Sequence, residues 1–163
     1  MRREVLSIDA MRTVPAFGGL SDDGLALVRD LLVEQQLNAG QILFREGDLG
    51  HELFIVISGE VEVLKGGPNG RDTRVALLGP HDMVGEMAML DLRPRSATVR
   101  ALAPTTFGVL TGQSLDAIYR RDIKGYSLLV LNMAREVSRR LRVADGLISG
   151  FAASISALYN REI

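Results

Sequence analysis

The sequence contains no cysteine and no tryptophan, and its aromatic content is only 5%. Without cysteine there is no disulfide framework and no thiolate metal site, a composition that fits a reducing compartment. So few rings argue against a stacking platform for single-stranded nucleic acid. A surplus of either charge is missing too. Nineteen Lys and Arg stand against 20 Asp and Glu, for a net charge of −1, so no global positive field draws the chain to nucleic acid. No apolar run reaches the roughly 18 residues of a membrane-spanning helix. "MRREVLSIDAMRTVPAF" lacks the continuous apolar core of a signal peptide, and a cytoplasmic location is expected. There are two histidines, His51 in "GDLGHELF" and His81 in "GPHDM". Both read as turn residues, too few and too scattered for a metal site. With no Ser/His/Asp arrangement and no triphosphate-binding loop, the chain is not expected to be an enzyme.

What is present is a chain of 163 residues, 47% hydrophobic, enough for one domain with a real core. To about Glu34 the pattern is helical. In "LSDDGLALVRDLLVEQ" Ser21 is placed to cap a helix, and Asp22 and Asp23 fall where the helix dipole favours acids. Leu25, Val28, Leu31 and Leu32 follow at helical spacing. From about Gln36 to Leu110, short apolar runs rich in Val, Ile, Phe and Thr alternate with Gly-marked turns, the pattern of a small β-sandwich or barrel. "GEVEVLKGGPNGRDTRVALL" predicts a hairpin that turns at Gly66 to Gly70.

From Ser114 the chain is helical again: "SLDAIYRRD" is a short helix and Tyr126 to about Tyr159 a long one. Along the latter, Val130, Ala134, Val137, Leu141, Ala144, Ile148, Phe151, Ile155 and Leu158 recur at alternating spacings of four and three, an a/d seam. The seam predicts a dimer; a helix packed on its own barrel is the alternative. Gly146 and Gly150 each weaken this helix by roughly 1 kcal/mol relative to Ala. The expected architecture is α+β: an antiparallel, jelly-roll-like β-roll flanked by helices over residues 1–125, then the long helix over 126–163.

One stretch carries chemistry. "VGEMAMLDLRPRSATVRA", Val84 to Ala101, is largely apolar yet holds Glu86 and Arg95. The residues alone fit either a surface ion pair or a pocket for a small anion with a polyol attached. Upstream, in "LNAGQILFREGDLGHELFIVISGEVEV", Gly40, Gly47, Gly50 and Gly59 mark tight turns in which positive φ is allowed. The two motifs, in this order and spacing, resemble the cyclic nucleotide-binding domain family, which includes catabolite activator protein and the regulatory subunits of cAMP-dependent kinase. The resemblance covers roughly Phe17 to Leu141, and "VALLGPHDMVGEMAMLDLRPRSATVRA" is similar to the family's phosphate-binding cassette.

That resemblance implies roles for named residues. Arg95 would bind the exocyclic oxygens of a cyclic phosphate, which a planar guanidinium suits. Glu86 would accept from the ribose 2′-OH. Gly85 lets the backbone approach the sugar, and the amides of Met87 and Ala88 open a short helix toward the anion. Ala88 and Ala97 leave room for phosphate, and Ser96 adds a hydroxyl donor. The side chains of Met87, Met89 and Leu90 read as core, and Arg93 as an exposed residue at the cassette tip. For the base, the long-helix Thr and Ser of catabolite activator protein align with Ala144 and Asp145, a departure from that pattern. Asp145 is placed either to accept from an exocyclic amine or to stand in solvent. Leu147, Phe151 and Tyr159 are candidates to cap the base. Ser after the cassette Arg accompanies bacterial cAMP receptors, so Ser96 favours cAMP over cGMP.

The implied protein is a stand-alone cyclic nucleotide receptor. It needs no cofactor or metal beyond its ligand, pairs through its C-terminal helix and signals to a downstream protein. The sequence ends at "ISALYNREI" without a helix-turn-helix, and "MRREV" offers no convincing kinase-inhibitor motif. Neither direct nucleic-acid binding nor membrane association is expected. Two other readings stand beside it: a ligand-free structural or protein-interaction module of the same fold, and a DNA-binding transcription regulator seen in part.

Overall fold

The computed structural model describes residues 6–159, with side chains to residue 157. "MRREV" and the side chains of Leu158, a seam position, and Tyr159, a base-cap candidate, lie outside the described residues. A short helix α1 (Ile8–Arg12) and a 3-10 turn at Pro15–Phe17 lead into α2 (Asp22–Leu31). Ser21 Oγ caps α2 by accepting from the Gly24 amide at 3.2 Å. The helix stops earlier than its apolar spacing predicts: Leu32 turns extended, with ψ at 134°. Val33–Leu37 forms strand β1, paired antiparallel with a strand that ends at Leu110. "VEQQL" has no strand pattern of its own, so a partner far along the chain sets its conformation against local propensity.

The remaining strands are β2 (Ile42–Phe44), β3 (Leu53–Ser58), β4 (Val61–Gly66), β5 (Asp72–Leu78), β6 (Met83–Val84), β7 (Thr98–Ala101) and β8 (Thr105–Leu110). They form two antiparallel sheets, ordered β1-β8-β3-β6 and β2-β7-β4-β5. β4 and β5 are the expected hairpin, closed by a 3-10 turn at Pro68–Gly70. Successive side chains of a strand face opposite sides, and β3 uses both. Phe54 and Val56 enter the interior of the roll with Val61, Leu78, Val84, Val99 and Phe107. Leu53 and Ile55 point the other way, into a second core with Phe17, Leu25, Val28, Ile118, Leu129 and Met133 of the helices. A strand covered on both faces reads as an unbroken apolar run, which accounts for "LFIVI". Phe54 and Phe107 meet edge to face at 6.0 Å across the interior.

α4 (Gly112–Arg121) and α5 (Ile123–Tyr159) complete the fold. α5 begins before Tyr126 because Asp122 Oδ1 accepts from the Gly125 amide at 2.8 Å and caps it. Its first half is docked on the roll through buried Leu129 and Met133. Buried Asn132 pins it further, its Nδ2 donating to the carbonyls of Ala16 (3.1 Å) and Gly18 (2.9 Å). From residue 141 every described side chain is exposed. The helix therefore packs on its own roll first and then leaves the seam positions Leu141, Ile148, Phe151 and Ile155 uncovered. The whole is the expected antiparallel β-roll flanked by helices with a long C-terminal helix.

Candidate functional site

A cavity of about 500 Å³ opens between the β4–β5 hairpin, α5, and the short helix α3 (Glu86–Asp91) with the loop that follows it. That is an ordinary volume for a small-molecule site. Gly85, Glu86, Met87, Ala88, Arg95, Ser96 and Ala97 all line it. Of the helix positions expected near a base, Ala144 and Leu147 line it, whereas Asp145 and Phe151 do not. Asp145 is one residue past Ala144, which turns it about 100° around the helix and away from the cavity.

Arg95 is 4% exposed. Its Nη1 donates to the carbonyls of Glu52 (3.0 Å) and Gly85 (3.2 Å), and its Nη2 to Glu52 Oε2 (2.8 Å). The guanidinium carbon lies 4.3 Å from the centre of the Phe44 ring and 5.5 Å from that of Phe54, close enough for cation–π attraction. Burial pulls its pKa below the ordinary value and Glu52 opposes that; an arginine so placed stays cationic at neutral pH. Nε–H and one Nη2–H have no partner among the described residues.

Two glycines make this seat. Gly85 has φ of +86°, and a Cβ there would meet Arg95 Nη1 and the Glu52 carbonyl at 2.6 Å. Gly50 does not take the positive φ expected of it; its role is close approach instead. A Cβ at Gly50 would come within 2.8 Å of Arg95 Nη2 and 2.9 Å of Glu52 Oε2.

Glu86 is buried, and its partner is neither Arg95 nor Arg93 but Arg140 of α5. Arg140 Nη1 donates to Glu86 Oε1 at 2.9 Å, its Nη2 to the Met83 carbonyl at 2.6 Å, and its Nε to Glu136 Oε1 at 2.8 Å. The cassette is thus tied to the long helix by one charged cluster. Desolvation raises the Glu86 pKa above the ordinary 4.5, with Arg140 opposing. Glu136 is lowered, first by the hydrogen bond from Arg139.

The two carboxylates have opposite consequences. A folded-state pKa above the unfolded one means that stability is lost as pH climbs from 4.5 through the raised value. Glu136 instead contributes stability above 4.5 that is lost on acidification through its lowered value. Glu86→Gln is therefore expected to gain on wild type in urea midpoint as pH rises from about 4.5 to neutrality. A difference that does not change with pH would contradict this assignment.

Lys65 Nζ reaches the Ser96 carbonyl at 2.6 Å. Arg95, Lys65, Arg139 and Arg140 line the cavity against one carboxylate, Glu86, a balance that favours an anion. Ser96 is exposed, its Oγ 3.5 Å from Met87 Sδ. Met87 and Leu90 are exposed rather than core, since short α3 turns them away from the roll; only Met89 of that trio packs on the helical core. Among the described residues, no group of three or more His, Asp or Glu is placed to hold a metal, and no helix is long and apolar enough to cross a membrane.

A family model described as the cyclic nucleotide-binding domain matches residues 34–122, more than half of the chain. The chain belongs to the cyclic nucleotide-binding domain family. A cyclic AMP receptor protein of Thermus thermophilus is 34% identical over 135 residues, which cover 83% of this chain and 61% of that protein. A CRP-like cAMP-activated global transcriptional regulator of Mycobacterium tuberculosis is 30% identical over 127 residues, 77% of this chain and 54% of that one. A solved cyclic nucleotide-binding domain from Methylobacillus flagellatus superposes with a TM-score of 0.78 at 26% identity, covering 88% of this chain and 80% of that one. The chain spans little more than half the length of the two curated relatives.

Within this cyclic nucleotide-binding domain, the cassette is legible in the sequence and its surroundings are not. Glu52 lies 43 positions from the Arg95 that it holds, and Arg140 lies 54 positions from Glu86. No local pattern connects such pairs. Val75 and Leu77 of β5 and Val143 of α5 also line the cavity; all three are exposed apolar side chains, and that exposure, invisible in the sequence, is their signal.

Proposed function

We propose that this chain is a receptor for a cyclic nucleotide, cAMP in preference to cGMP, and that it passes occupancy on through α5. One observation carries the reading: a buried guanidinium that keeps unpartnered N–H donors and a buried carboxylate share the lining of one cavity. The Nε/Nη2 edge of Arg95 matches two exocyclic phosphate oxygens, and Glu86 matches a ribose hydroxyl. The preference for cAMP rests on Ser96 beside Arg95 and on likeness to proteins named as cAMP receptors.

Transmission follows from Arg140. Ligand at Glu86 competes with the Arg140 pair that ties α5 to the cassette, so occupied and empty states hold α5 differently. A ligand shifts an equilibrium only by such a difference in affinity. α5 then presents Leu141, Ile148, Phe151 and Ile155 to a second copy, and the paired helices act on a downstream protein in the cytoplasm. No catalytic step and no cofactor enter this mechanism.

Isothermal titration with cAMP, cGMP, 2′-deoxy-cAMP and 5′-AMP tests it. Loss of one hydrogen bond to a charged group should weaken 2′-deoxy-cAMP about tenfold or more, and Glu86→Gln should shrink that difference. 5′-AMP, with an open phosphate of different shape and charge, should bind more weakly than cAMP. Absence of binding by cAMP and cGMP at millimolar concentration would overturn the receptor reading.

A further inference from the structure

We propose that Arg139 reads the purine base by donating to a 6-oxo group and N7, and that it thereby opposes the preference for cAMP. The inference rests on the receptor reading above. With phosphate at Arg95 and ribose at Glu86, the remaining wall of the cavity is its β5–α5 half. Val75 and Leu77 form one side, and the other is a single stripe of α5, Arg139, Val143 and Leu147, spaced four apart. A base stacked between these apolar side chains meets one polar side chain there. Lys65 is engaged at the phosphate end with Ser96, and Arg140 with Glu86.

Arg139 is held ready rather than free. Its Nε and Nη2 donate to Glu136 at 2.9 and 2.6 Å, while Nη1 has no partner among the described residues. The outer Nη1/Nη2 edge therefore keeps two parallel donors, on a side chain that lines the cavity and is 62% exposed. A guanidinium only donates. The 6-amino group of adenine also donates, so the two cannot pair. A 6-oxo purine sets O6 and N7 side by side as two acceptors, the pattern that arginine binds bidentately. No side-chain acceptor lines this half of the cavity, since Asp145 is turned out of it. The 6-amino group finds no side-chain partner, and the 6-oxo group finds Arg139.

Isothermal titration of cAMP, cGMP and cyclic IMP into wild type, Arg139→Ala and Arg139→Lys tests this. In both variants cGMP and cyclic IMP should lose about tenfold in affinity, with cAMP changed by less than about twofold. Arg139→Lys separates the fork from the charge, since lysine keeps only the latter. Equal weakening of all three ligands, no weakening, or wild-type binding of cAMP with none of cGMP or cyclic IMP overturns this inference and leaves the receptor reading standing. A wild type that binds no cyclic nucleotide overturns both.

Discussion

Saturating cAMP is expected to raise the melting temperature of the wild-type protein by about 5–10 °C, and that of Arg95→Ala by less than about 2 °C. A ligand at about 100 times its dissociation constant adds about 2.7 kcal/mol to stability, and each kcal/mol moves a domain of this size by about 2–4 °C. The expected loss is large because of where Arg95 sits. A hydrogen bond to a charged group contributes about 1.5–3 kcal/mol, whereas an exposed ion pair contributes about 0–1 kcal/mol. Arg95 is almost fully buried at the cavity wall and has two donors to offer. Removing both bonds weakens binding at least about a hundredfold, which leaves Arg95→Ala at most about half occupied at the same ligand concentration. The variant should still fold, because the Glu52 side chain is 43% exposed and hydrates when its partner is gone. A shift in Arg95→Ala equal to that of wild type would remove Arg95 from the site.

Leu129→Ala is expected to cost about 2–5 kcal/mol, read as a lowered urea midpoint, whereas Leu141→Ala should cost the monomer almost nothing. Truncating a fully buried leucine loses transfer free energy and leaves a cavity. Leu129 is fully buried where α5 joins the helical core, and Leu141, three turns on, is 60% exposed. Leu141→Ala should act elsewhere, weakening self-association in analytical ultracentrifugation by the loss of an a/d contact. If Leu141→Ala leaves the sedimentation of the protein unchanged, or the wild type is monomeric throughout, α5 is not a pairing seam. The two variants separate the two faces of one helix: one anchors it to its own roll, the other is offered outward.

Local chemistry marked the cassette. "GEMAMLDLRPRSATV" carries its acid, its base and its small residues within one short segment, and Gly85 stands where only glycine tolerates both the positive φ and the approach of Arg95. The strands were legible from apolar runs and turn glycines, with β1 and the two-residue β6 the exceptions. "VEQQL" follows a helix and carries few apolar residues, and only its pairing with β8 makes it a strand. Met87 and Leu90 were misplaced for a related reason. Apolar residues on a short helix read as core, yet α3 has too few turns to bury more than one face.

The sequence by itself determined the periodicities, the turns and the residue types at the phosphate end of the cavity. These depend on neighbours a few positions apart, and their order in the chain is their order in the structure. Only the tertiary structure decided what those residues touch. It sets Glu52 against Arg95, Arg140 against Glu86, and Arg139 beside the apolar wall of β5. Those placements follow from how α5 packs across the roll through Leu129, Asn132 and Met133. Non-directional burial of that face brings together charges that are distant in sequence, and desolvation then sets how strongly they act.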